Sequence, residues 1–159
     1  MGFNQLHEKV RNDERVISLE KTNVKSLTRD RISQVVGDES FTGFDVIVCD
    51  VSFISLTSVL PTIVNELSKF GTALFLLVKP QFEAGVKFVS RGKGVIRDPL
   101  LWKEALKKVS LTLEELSVGL LDIVVSPIKG PKGNVEFIMY CGVGEKSEIN
   151  VDSKFNDLF

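Results

Sequence analysis

A chain of 159 residues and 17.7 kDa, 43% hydrophobic and 26% charged, holds enough apolar material for one packed domain and excludes a disordered or collagen-like polymer. Its longest unbroken apolar run, Ala73 to Val78, is far short of the ~20 residues of a membrane helix, and the polar stretch His7, Glu8, Lys9, Arg11 and Asp13 reads against a signal peptide. The net charge of −1 argues neither for nor against nucleic acid as a partner.

Leu6 and Val10 suggest a helix near the start. The spacing then predicts five strands, the first of them Arg15 to Leu19. Phe44 to Cys49 and Thr72 to Val78 are nearly continuous apolar runs, as strands covered on both faces of a parallel sheet would be. Between them, Leu60, Ile63, Val64 and Leu67 predict a helix over Thr57 to Phe70, with Gly71 as its stop signal and Pro61 near its start. Asp98 as N-cap and Pro99 at the first helical position open another helix, which carries Leu101, Ala105, Val109 and Leu113. Leu120 to Val125 and Val135 to Cys141 are the last two strands. The turn-rich link 126–134 between them is too short for a crossover helix, so they form an antiparallel hairpin. Residues 145–159 read as a polar tail that frays, with Phe155, Leu158 and Phe159 available to dock. Cys49 and Cys141 fall in apolar strands and read as buried, reduced thiols of a cytoplasmic protein.

Strand–helix alternation ending in a hairpin gives an α/β fold, an open sheet with one reversed strand. Ligands of such sheets gather at the carboxyl ends of the parallel strands. Asp50 follows the strand 44–49 directly, Lys79 follows 72–78, and Glu136 stands near the start of the reversed strand, so three charged residues converge on one rim. Each has a plainer role available: Asp50 as a helix cap, Lys79 as the point where the chain reaches water, Glu136 as an outward residue of an edge strand. Together at one edge they make a candidate catalytic set.

Charge is distributed unevenly around that rim. From Ile32 to Val78 there is one base against five acids, 1 − 5 = −4; from Lys79 to Lys108 there are eight bases against three acids, 8 − 3 = +5. Lys87, Arg91, Lys93 and Arg97 lie in a stretch with Gly92 and Gly94 and no acid, and Lys129 and Lys132 lie in the hairpin link with Asn134. Glycines let backbone N–H groups approach phosphate and the bases supply charge, so these are candidate RNA contacts; a solvated loop is the plainer account. Nothing in the sequence suggests a metal site.

Four segments carry a family resemblance: Asp50-Val-Ser-Phe-Ile-Ser-Leu56, Val78-Lys-Pro-Gln-Phe-Glu-Ala-Gly85, Gly94-Val-Ile-Arg-Asp98, and Ser126-Pro-Ile-Lys-Gly-Pro-Lys-Gly-Asn-Val-Glu-Phe137. With 4–11 and 15–23 they resemble, in order from about Gly2 to about Tyr140, the haemolysin A (TlyA) family. These are FtsJ-like, S-adenosylmethionine-dependent methyltransferases that act on ribose 2′-hydroxyls of ribosomal RNA. The resemblance implies a Rossmann-like methyltransferase sheet and a Lys-Asp-Lys-Glu catalytic set, of which Asp50, Lys79 and Glu136 are three members. It puts Glu20, Asn23 and Asp50 on the side of the methyl donor, S-adenosyl-L-methionine, although Glu20 also reads as a solvated strand end. It implies Lys79 as general base or hydroxyl-orienting group, which an ordinary lysine, titrating near ~10.4, does poorly unless its surroundings lower that value.

The family's early lysine, its S4-type RNA-binding module, its glycine-rich donor loop and the acid ending its second strand have no counterpart in this sequence. Residues 1–144 therefore resemble the carboxyl-terminal part of the methyltransferase domain, with the first strands missing and donor binding impaired. An unpaired sheet edge would then favour self-association or a marginal monomer. The expected partner is ribosomal RNA or a ribosomal subunit. A catalytically silent RNA-binding module is the alternative. Membrane lysis, which only the older family name suggests, ranks last because no apolar span or basic amphipathic helix is present.

Overall fold

In the computed structural model, which describes residues 4–84 and 94–159, four strands form one mixed sheet in the order β1-β2-β4-β3. These are β1 (Phe44–Cys49), β2 (Ser68–Val78), β3 (Val118–Val125) and β4 (Phe137–Val143). β1 and β2 are parallel, and β4 runs antiparallel to both β2 and β3. The α/β reading with a carboxyl-terminal antiparallel hairpin holds, and β4 is the one reversed strand.

The helices are α1 (Glu8–Arg11), α2 (Arg29–Val36), α3 (Leu60–Thr62), α4 (Pro80–Glu83), α5 (Pro99–Glu115) and α6 (Val151–Leu158). α5 starts as its sequence dictates, with the Asp98 carboxylate accepting from the Leu100 N–H and Pro99 where no donor is needed. Its Ala105, Leu106, Val109 and Leu113 are buried with Leu74, Leu76 and Val78 of β2 and Phe137, Met139 and Cys141 of β4. Their neighbours Phe75 and Tyr140 point the other way, stack at 4.9 Å and remain 38% exposed. α5 and α6 thus cover one face of the sheet.

Four expectations need correction. Arg15–Leu19 is not a strand: these residues have no ladder partner among those described, and Ile17 stays half exposed. A β-pattern needs a neighbour to become a strand, and the free edge of β1 is not taken by this segment. β1 is also not covered on both faces, since Val46 and Val48 are 57% and 75% exposed.

The helix expected over 57–70 is shorter and irregular. A 3₁₀ turn (Leu56–Ser58) leads into α3, which widens into a π turn over Ile63–Leu67, and Ser68 is already extended. Leu60, Ile63, Val64 and Leu67 are buried as the pattern requires. Residues 68–70, however, go to β2 because Ser68 pairs with Phe44. Gly71 is therefore not a helix stop but sits inside β2 at φ +82°, where the register jumps from Phe44↔Ser68 to Val46↔Ala73. Buried Thr72 closes the bulge, its hydroxyl donating to the Phe44 carbonyl at 2.6 Å and accepting from Lys69 N–H at 2.9 Å.

The fourth correction concerns 145–159, which is not a frayed tail. Asn150 caps α6 by accepting from Asp152 N–H, and Val151 and Phe155 are buried. Phe155 and Phe159 join Phe137 and Trp102 in an aromatic cluster. Asp152 pairs with Lys103 and Lys107 of α5, both at 2.7 Å, and Lys103 above all holds its carboxyl below the usual range. The hydrophobic residues are spaced i, i+4, which a mostly polar composition masks.

Candidate active site

The register of the sheet puts the three charged rim residues side by side. β1 ends at Cys49 and β2 at Val78, so Asp50 and Lys79 leave adjacent parallel strands at the same edge. Val78 pairs with Phe137, so Glu136 enters the reversed strand next to Lys79. Lys79 Nζ lies 2.5 Å from Asp50 Oδ1 and donates to Ser52 Oγ at 3.1 Å. Its side chain is 12% exposed, whereas that of Asp50 is 62% exposed. The amine is held in the wall while the carboxylate keeps an open face. This charge pair also acts on its neighbour: burial first, and then the Asp50 charge, push the Cys49 thiol up to about 11, with Lys79 opposing.

Glu136 is buried, and its Oε1 accepts from Gln81 Nε2 at 3.0 Å. The hairpin link shapes this pocket. A β-carbon on Gly130 would lie 2.7 Å from Glu136 Oε1, so any other residue there would push the carboxylate from its place. Buried Asn134 ties the link to the segment before α5, its Oδ1 accepting from Ile96 N–H and its Nδ2 donating to the Gly94 carbonyl, both at 2.9 Å. The result is a cleft of about 440 Å³ whose lining includes Ser52, Phe53, Lys79, Gln81, Lys132 and Glu136.

Three residues of this site stand out only in the structure. Glu83 is buried; it accepts from Ser55 Oγ and from Leu56 N–H at 2.7 Å, with Lys108 Nζ at 3.5 Å. It thereby fixes the loop that carries Ser52 and Phe53. Gln81 is likewise buried. The signal was Gln81 and Glu83, on either side of Phe82 just after Pro80, whose one-turn helix points them inward. Phe53 is 91% exposed and held at φ +64°, unusual for an aromatic residue, with its ring 5.2 Å from that of Phe82. An exposed aromatic in Ser-Phe-Ile-Ser was the available hint.

The remaining sequence candidates divide. Lys132 lines the cleft, and Arg97 and Lys129 are exposed on the two segments that Asn134 joins. Lys87, Arg91 and Lys93 lie outside the described residues. Glu20 and Asn23 are not brought to the cleft: Glu20 Oε1 accepts from Asn4 N–H, and Asn23 caps the 3₁₀ turn Val24–Ser26 through Lys25 N–H. No helix among the described residues is long and apolar enough to cross a membrane.

Residues 1–143 match the FtsJ-like methyltransferase family. The sequence is 39% identical over 140 residues to the 16S/23S rRNA (cytidine-2′-O)-methyltransferase TlyA of Mycobacterium tuberculosis, covering 88% of this chain and 48% of that protein. It is 38% identical to Hemolysin A of Brachyspira hyodysenteriae, covering 88% and 55%. The chain thus spans about half the length of the curated relatives it matches. The crystal structure of a putative hemolysin from Lactococcus lactis superposes with a TM-score of 0.83 at 34% identity, covering 98% of this chain and 72% of that one.

Proposed function

The chain belongs to the FtsJ-like methyltransferase family, and from that premise we propose that its cleft is the acceptor side of a site that methylates a ribose 2′-hydroxyl of ribosomal RNA. The observation that carries this reading is the Lys79–Asp50 pair at the sheet's carboxyl edge with Glu136 on the adjoining strand. A 2′-hydroxyl is a weak nucleophile, so its proton must be drawn away as the new O–C bond forms. Lys79 orients that oxygen and, as its own proton passes to the Asp50 carboxylate that it faces, receives the proton of the hydroxyl. Asp50 and Ser52 hold the amine in place, and Glu136, fixed by Gln81, adds a negative wall that keeps the amine turned into the cleft.

The methyl donor would be S-adenosylmethionine, whose sulfonium supplies an activated methyl group. The chemistry of the residues fits such a cation, since Asp50 presents a carboxylate that is 62% exposed at the strand end. Glu20 and Asn23 would stand on the donor's side only if their local hydrogen bonds opened. Lys132, Lys129 and Arg97, with Lys87, Arg91 and Lys93, would meet the RNA phosphates in a salt-dependent way. A ribosomal substrate would place the protein in the cytoplasm, and the open edge of β1 would support self-association.

Methyl transfer from labelled S-adenosylmethionine to ribosomal subunits tests the proposal. Transfer by the chain, lost in Lys79→Met with donor binding retained, is the expected result. Salt-dependent RNA binding without donor affinity would leave a binding module in its place. Transfer by Lys79→Met at the wild-type rate would remove Lys79 from the chemistry.

A further inference from the structure

We propose that Gln81 reads the base of the acceptor nucleotide: its side-chain oxygen accepts a hydrogen bond from an exocyclic amino group and so favours cytosine over uracil. This rests on the RNA-methylating reading above and adds a determinant of specificity to it.

The argument begins with a residue whose donor is used and whose acceptor is not. Gln81 is 8% exposed, and its Nε2 donates to Glu136 Oε1. A carboxylate there accepts only, which fixes the orientation of the amide and leaves Oε1 as an acceptor. That oxygen is buried and has no hydrogen-bond partner among the described residues. Buried polar atoms are seldom left so, because the lost hydration is not returned.

Of the donors nearby, Lys132 Nζ lies on the Gly94 side of the cleft, 3.3 Å from where a β-carbon at 94 would stand, and is left for phosphate, and the others are already committed. Lys79 Nζ holds Asp50 and Ser52, Lys108 Nζ holds Glu83, and the Asn134 amide donates to Gly94. Gln81 lines the cleft, so a group entering the cleft is what remains to satisfy it.

The chemistry of the cleft narrows that group. An internal RNA nucleotide offers two kinds of donor, its 2′-hydroxyl and the N–H groups of its base. The hydroxyl belongs with Lys79 and Asp50, which leaves the base edge for Gln81. Phe53 and Phe82 both line the cleft, and the exposed ring of Phe53, tilted against that of Phe82, offers an apolar face on which a planar base can stack. Cytosine presents an amino group with two protons at the position where uracil presents a carbonyl oxygen. Against Gln81 Oε1 and the carboxylate of Glu136, the two amino protons of cytosine are an attraction, whereas uracil has a single donor, N3–H, flanked by two carbonyl oxygens that set acceptor against acceptor.

The experiment titrates the whole chain, by fluorescence anisotropy at one fixed salt concentration, with single-stranded oligocytidine and oligouridine of equal length. Wild-type protein is expected to bind oligocytidine about five- to tenfold more tightly, the worth of one hydrogen bond. Gln81→Met is expected to bind both and to lose the preference. Because that variant could also disturb Glu136, an N4,N4-dimethylated oligocytidine is titrated against unaltered protein. It lacks the amino protons and should bind no better than oligouridine. Salt-dependent binding without preference, or a preference that survives either change, overturns the role of Gln81 and leaves the RNA reading intact. No binding to any of the three probes overturns both.

Discussion

Removing the Glu83 carboxylate should loosen the loop that carries Ser52 and Phe53, and the structure sets the size of the effect. In Glu83→Ala the Leu56 N–H, which donates to Oε1 at 2.7 Å in a buried setting, is left without an acceptor, at a cost of about 1–3 kcal/mol. Ser55 loses a charge-assisted bond but can turn to Thr57 Oγ1, already 2.7 Å away, so its share is small. Lys108 sits at 3.5 Å with its side chain half exposed, so water replaces most of that contact. The sum is about 2 kcal/mol, or a melting temperature lower by about 4–8 °C for a chain of this size. Glu83→Gln keeps an oxygen for the Leu56 N–H and should lose about half as much. Circular dichroism melts of the two variants and of Ser55→Ala measure this, and the double variant should be less destabilised than the two single effects added. A Glu83→Ala melt within about 1 °C of wild type would refute the assignment of Glu83 as the anchor of the loop.

Two further outcomes follow from other parts of the molecule. Burial pushes the thiols of Cys49 and Cys141 up to about 11 and about 12 from an ordinary 9.0. The unfolded thiols therefore lose protons first as pH rises, and the stability they contribute is intact below pH 9.0 and is lost between there and about 12, by at most about 1.4 kcal/mol per pH unit for each. Urea midpoints on either side of pH 9.0 should show this fall, and it should shrink in the Cys49→Ala, Cys141→Ala double variant; an unchanged fall would assign it to other groups. The open edge of β1 and its exposed Val46 and Val48 should make sedimentation concentration-dependent, and Val48→Lys should suppress that dependence. A monomer at every concentration would show that the edge is silent.

The sequence revealed those parts of the fold that follow from local signals. β1 matched to the residue because six apolar-rich positions ended at a charge, and α5 because Asp98-Pro99 is both cap and first turn. The failures were non-local. Residues 68–70 follow a helical spacing but belong to β2, because pairing with Phe44 and the Thr72 bond to its carbonyl outweigh a weak helical preference. Arg15–Leu19 has a strand's composition but no neighbour to pair with. In the tail the sequence marks Phe155 for docking but hides the helix, because two buried residues, Val151 and Phe155, are enough to dock one short helix when Asn150 caps it and two lysines of α5 meet Asp152.

The site shows the same division. Asp50, Lys79 and Glu136 could be placed from topology, because each follows or precedes a strand and strand direction is legible in loop length. What topology could not show is which polar residues of the loops turn inward. In Pro80-Gln-Phe-Glu83 a single helical turn sends Gln81 to Glu136 and Glu83 to the loop 55–56, while Phe82 packs against Phe53. That sorting depends on angular differences of a few residues around one short helix and on a glycine at 130 that leaves room for a carboxylate. Composition carries no trace of either. The charged rim is thus a property of strand order, whereas the fit of the cleft around it is a property of loop packing, and only the first is written in the pattern of the chain.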